Sequence, residues 1–136
     1  NAAEDIAQDV FCHLWKKRDE LELKSAPGAY LRMAVRNRSL NYIKSRRINF
    51  DPEGKEMVLE DEVSTTQQNL EAEELEQFLH KAIDNLPDKA RIPFCLNRFE
   101  DMTYNEIAEQ LGVSVKTIEY QVSKALTLLR RAVGEV

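Results

Sequence analysis

The sequence predicts an all-α fold: a helical pair, an acidic linker and a four-helix module that ends in a helix-turn-helix. Three observations predict it. Apolar residues recur at three- and four-residue spacing through most of the chain. No segment alternates apolar and polar residues for long enough to make a strand. Helix-starting and helix-ending residues also stand at the right places between 103 and 118.

Residues 3–21 read as an amphipathic helix, with Ile6, Val10, Phe11, Leu14, Trp15 and Leu21 on its apolar side. Glu4, Asp5 and Asp9 stand in its early turns, where the helix dipole favours acids. Lys24 to Gly28 break the pattern, and Pro27 suits the first turn of a new helix running to about Arg47. Its apolar positions are Leu31, Ala34, Val35, Leu40 and Ile43. Residues 48–69 hold Pro52, Gly54, the acidic run Glu60-Asp61-Glu62 and a polar stretch, which together read as a mobile linker. Periodicity returns at Leu70, Leu75, Phe78, Leu79, Ala82, Ile83 and Leu86. After Leu86-Pro87 a helix is expected from about Asp88 to Arg98, with Pro93 distorting its first turn or shifting its start. The domains so defined are 1–47, a linker at 48–69, and 70–136.

The last module carries the most specific pattern. Thr103 and Glu106 form a capping box, Ile107, Ala108 and Leu111 share a face, Gly112 suits a left-handed helix end, and Ser114 is a strong N-cap. In the helix after Ser114, the residues Ile118, Val122, Ala125, Leu126 and Leu129 are expected to be buried. Lys116, Thr117, Glu119, Tyr120, Gln121, Ser123 and Lys124 are expected to face outward. Such side chains suit a major groove: lysines reach phosphates or guanine edges, and a glutamine pairs with adenine. The bland alternative is a helical hairpin with an ordinary solvated face.

The net charge of −5 is unevenly spread. Residues 24–50 carry seven basic groups and no acid, whereas residues 51–76 carry ten acids and one lysine. A merely solvated helix would mix signs to gain i,i+4 pairs. The segment therefore reads as a nucleic-acid surface. Arg36, Lys44, Arg46 and Arg47 would neutralise phosphates, Asn37 and Asn41 would bond bases, and Tyr30 would stack on an unpaired one. The acidic linker reads as a passive tether, with competition for the basic helix as a second reading.

Several classes are excluded or unsupported. No apolar run approaches the ~20 residues of a membrane span, and no secretory signal is expected from its opening residues. It opens on Asn1-Ala2 rather than Met, as a fragment or processed product would. Cys12 and Cys95 lie far apart without ligand-spaced partners and read as buried free thiols of a cytoplasmic protein. His13 and His80 each stand alone. No glycine-rich phosphate loop, nucleophile motif or metal cluster supports catalysis, so neither an enzyme nor a cofactor or metal is expected.

At this point the residues resemble a known family. Ala3-Glu4-Asp5-Ile6-Ala7-Gln8-Asp9-Val10-Phe11 with Leu14-Trp15 resembles region 2.2 of bacterial RNA polymerase sigma factors. Ala29 to Arg38 with Asn41-Tyr42 resembles regions 2.3 and 2.4, and Leu86-Pro87 with Tyr104 to Arg130 resembles region 4. The lack of a region 3 between them is similar to the extracytoplasmic-function (ECF) group. The resemblance implies a sigma factor that binds core RNA polymerase and directs it to promoters. Asp5, Gln8 and Asp9 match positions that dock on the β′ clamp helices. The second helix and the loop Lys24 to Gly28 match the region that captures the opened −10 element. The helix from Ser114 matches the −35 reader, with Ser114, Lys116, Thr117, Glu119, Tyr120, Gln121 and Lys124 as its contacts. The apolar surface of region 4 is implied to rest on the tip of the β subunit, and an anti-sigma factor is implied as a further partner. Housekeeping members carry two adjacent aromatics where this chain has Ala29-Tyr30, so melting is expected to lean on a weak promoter. The family also has a helix or two ahead of the position of Asn1, so the first two helices are expected to pack on other neighbours.

Two other classes compete from sequence alone. A helix-turn-helix regulator that dimerises through its first helices would bind a palindromic operator with half-sites about one helical turn apart. A helical adaptor without a DNA role would place its basic segment on an acidic protein.

Overall fold

The computed structural model describes residues 1–17, 27–52 and 71–134. Every regular element among them is helical: α1 Ala2–Lys16, α2 Pro27–Ser45, α3 Ala72–Asp84, α4 Asp88–Arg98, α5 Tyr104–Leu111 and α6 Val115–Gly134. The chain forms two compact units, 1–48 and 49–136. Helix α1 closes at Lys17, short of the expected end at Leu21, while the expected loop from Lys24 and the linker beyond Pro52 lie outside the described residues.

In the first unit, Asn1 caps α1 by accepting the Glu4 N–H at 2.9 Å. Helix α1 packs against α2, burying Val10 on one and Leu40 on the other. Phe11 and Trp15, expected on the apolar side, are exposed, as is Met33. Two helices have too little facing surface to cover every apolar residue on both. Cys12 is exposed rather than buried, because it shares the open side of α1 with Phe11.

In the second unit α6 is the spine, with α3, α4 and α5 packed against it. Ile107 of α5 and Ile118 of α6 are fully buried, each worth about 1.5–3 kcal/mol relative to exposure. Val122, Ala125 and Leu129 continue the buried stripe, but Leu126 stands 39% exposed, one step round the helix from it. Helix α4 starts at Asp88 as expected, and Pro93 lies buried inside it without breaking it. Arg91 ties the α3–α4 turn together by donating to the carbonyls of Asp84 and Leu86, at 3.1 and 3.2 Å, and by pairing with Asp88.

Candidate nucleic-acid interface

The turn between α5 and α6 is built as its residues dictate. Thr103 Oγ1 accepts the Glu106 N–H at 3.1 Å while the Glu106 carboxylate accepts the Thr103 N–H at 3.1 Å. Gly112 ends α5 at φ 69°, a left-handed backbone that costs glycine little. Ser114 Oγ then accepts the Thr117 N–H at 3.1 Å and caps α6. Both helix ends are fixed by their own side chains, so the turn holds the start of α6 in place.

The exposed side of α6 is narrower than the sequence suggested. Lys116, Glu119 and Ser123 are exposed, and Tyr120 and Lys124 are partly exposed beside them. At helical spacing these five share one face. Thr117 and Gln121, expected to face outward, do not: Thr117 is 7% exposed and Gln121 is fully buried. Both are covered by the start of the expected linker. Gln121 Nε2 donates to the carbonyl of Phe50 at 2.5 Å, and Thr117 Oγ1 donates to Asp51 Oδ1 at 3.1 Å. Phe50 itself is 4% exposed. Phe50 and Asp51 were missed in the sequence reading. The available signals were a lone aromatic beside a polar linker, and Ser114, Thr117 and Gln121 along one flank of α6.

The basic helix divides as well. In the continuous α2, Tyr30, Asn37, Asn41 and Lys44 fall on one stripe, whereas Arg36 lies well round from it. Asn37, Asn41 and Lys44 are exposed and Tyr30 is half-buried. Arg46 and Arg47 close the helix, bonding back to Tyr42, Ile43 and Lys44 carbonyls, and both side chains are exposed. On α1, Asp5, Gln8 and Asp9 are exposed and share a face at i, i+3, i+4 spacing.

A third surface is apolar. Leu75, Leu79 and Ile83 of α3 face Phe94, Phe99 and Leu129 across a groove of about 450 Å³, rimmed by Glu76, His80 and Arg98. The Phe94 and Phe99 rings meet edge to face, with centroids 6.4 Å apart.

Of the thiols, Cys95 is half-buried, and burial pushes it up; Arg91 nearby pulls the other way and Asp84 adds slightly to the rise. No group of His, Cys, Asp and Glu among the described residues is arranged to hold a metal ion. No described helix is long and apolar enough to cross a membrane.

Comparison with known proteins finds a family match over each half of the chain. The family model for Sigma-70 region 2 matches residues 1–48, and that for Sigma-70, region 4 matches residues 78–129. The ferric citrate uptake sigma factor FecI of Escherichia coli is 30% identical over 132 residues, covering 91% of this chain and 72% of FecI. This chain belongs to the sigma-70 family.

The sigma factor also resembles the ECF RNA polymerase sigma factor RpoE of Cereibacter sphaeroides, at 28% identity over 131 residues, covering 95% of this chain and 71% of that one. A solved structure of the sigma factor RpoE with the anti-sigma factor NepR from Bartonella quintana aligns at TM-score 0.49 and 24% identity. It covers 95% of this chain and 79% of that one. The sigma factor falls in the ECF group, and its role is to direct transcription initiation by RNA polymerase at promoters. Members of this family act by binding rather than by catalysis.

Proposed function

We propose that this sigma factor divides its work among three exposed surfaces and has no enzymatic activity of its own. Helix α6 enters the major groove of the −35 element, where Lys116, Glu119 and Tyr120 meet base edges and Ser114 and Lys124 meet phosphates. Helix α2 takes the opened −10 element. Asn37 and Asn41 bond unstacked bases, Tyr30 stacks against them, and Lys44, Arg46 and Arg47 hold the backbone, with Arg36 adding charge from the side. Asp5, Gln8 and Asp9 dock on the β′ clamp helices of core RNA polymerase. The groove between α3, α4 and α6 receives the apolar tip of the β subunit, and an anti-sigma factor competes for these surfaces in the cytoplasm.

The observation that carries this reading is the doubly capped turn that holds the exposed face of α6 rigid. Two DNA-reading surfaces of different chemistry on one chain fit asymmetric promoter contacts better than a palindromic operator. The test is binding to purified core RNA polymerase, with Asp5→Lys/Asp9→Lys beside the native chain. Binding lost on charge reversal supports the assignment of α1. Undiminished binding of the reversed variant removes that assignment, and duplex binding without any polymerase binding favours a regulator.

A further inference from the structure

Phe50 and Asp51 cover one flank of α6, and beside the buried Phe50 ring the side chains they close over, Thr117 and Gln121, are polar where a permanent core would be apolar. Gln121 is fully buried, yet its Oε1 has no hydrogen-bond partner among the described residues. A buried amide left half-satisfied carries an uncompensated desolvation cost, which a leucine there would avoid. Thr117 is held in a relay: Ser114 Oγ lies 2.9 Å from Thr117 Oγ1, which donates to the Asp51 carboxylate. Asn49 Oδ1 accepts the Asp51 N–H at 3.1 Å and shapes the turn that presents that carboxylate. Asp51 thus sets a negative charge at the first turn of α6, the place where a DNA phosphate would otherwise bind.

From this arrangement we propose that Asn49 to Pro52 are an intramolecular stop, seated on α6 and released before α6 enters DNA. The inference rests on the reading of α6 as the −35 helix. Two dimensions support it. A major groove about 12 Å wide is filled by one α-helix of 10–12 Å, so a second stretch of chain along the flank of α6 does not fit. Chain length gives the other. From Ser45 to Phe50 the chain reaches at most about 18 Å, and α2 adds about 28 Å of its own length. By their labels the −35 and −10 elements lie about 25 base pairs apart, on the order of 80 Å of duplex at roughly 3.4 Å per pair. With Phe50 seated on Gln121, one copy does not reach both. With the seat released, the chain from Ser45 to Ala72 extends to roughly 90 Å, which does.

The test uses the full chain and a labelled pool of random-sequence duplex DNA, read by fluorescence anisotropy at low and moderate salt. Phe50→Ala removes the seated ring. Asp51→Asn keeps the ring and removes the charge, and Asp101→Asn removes the same charge at an exposed turn elsewhere. Expected is binding at least about fivefold tighter for Phe50→Ala, since a stop lowers apparent affinity by the fraction of chains that are open. Asp51→Asn gains more than Asp101→Asn, and all variants melt within a few degrees of the native chain. Native-like or weaker DNA binding by a folded Phe50→Ala, or equal gains for the two Asp→Asn variants, overturns the stop while the −35 reading stands. If no variant binds the pool even at low salt, the −35 reading falls and takes the stop with it.

Discussion

Gln121 and Phe50 stand 71 positions apart in sequence, yet the buried amide of one donates to the backbone carbonyl of the other. This bond separates the two polar flanks of α6. The flank bearing Lys116, Glu119 and Ser123 is open, and the flank bearing Thr117 and Gln121 is closed.

The two flanks therefore respond oppositely to alanine. Lys116→Ala is expected to weaken −35 binding and relax its base preference by about 1–3 kcal/mol, the worth of one good base contact. Gln121→Ala removes the donor to Phe50, loosens the stop and tightens DNA binding. Anisotropy titrations on a −35 duplex and on scrambled duplexes check both; weaker binding by Gln121→Ala would make that residue a direct reader instead.

The turn before α6 depends on one backbone angle. A Cβ built on Gly112 meets nothing within 4 Å, so Gly112→Ala pays only for its left-handed φ of 69°. The expected cost is about 1–2 kcal/mol. Thr103→Ala breaks one arm of the capping box for about 1 kcal/mol. Each should lower the melting midpoint by several degrees, read by circular dichroism. No change for Gly112→Ala would mean that the turn relaxes to another geometry.

The end of α2 should set the salt response of −10 binding. Changing Lys44, Arg46 and Arg47 together to alanine is expected to reduce the log–log salt slope on single-stranded DNA by about 2, at roughly 0.7 per phosphate lost. Titrations at several salt concentrations measure it. An unaltered slope would remove these three residues from the interface.

The two thiols should separate by rate. Exposed Cys12 reacts with a disulfide reagent first, and Cys95 lags because burial disfavours its thiolate. Its rate should rise only above the pH range of an ordinary thiol. The sign for stability follows: Cys95 is raised in the fold, so its contribution is complete below the unfolded thiol pKa. That contribution is lost as pH climbs through the folded value. Modification followed by mass spectrometry at several pH values follows each site, and a Cys95 profile equal to that of a small unstructured thiol peptide would contradict the burial effect.

Much of this was legible in the chain. The start of α4, the capping box at Thr103 and Glu106, the left-handed Gly112 and the cap at Ser114 all follow from residues within four positions of one another. The segregation of basic residues onto α2 is a matter of counting. The errors fall where the outcome depends on what lies opposite. Leu126 reads as core by spacing, yet it sits just past the edge of the packed stripe. Cys12 reads as buried by its apolar neighbours, but the partner surface of α2 is too small to cover it.

The sequence by itself determined the helices, the capped turn before α6, the charge division and the family, because helix formation and capping act over a few residues and charge follows composition. Only the tertiary structure decided which polar side chains of α6 stay exposed. That choice rests on Phe50 and Asp51 folding back onto a helix that begins more than sixty positions later. No local pattern encodes such a contact, since its free energy arises only when both surfaces are formed and facing.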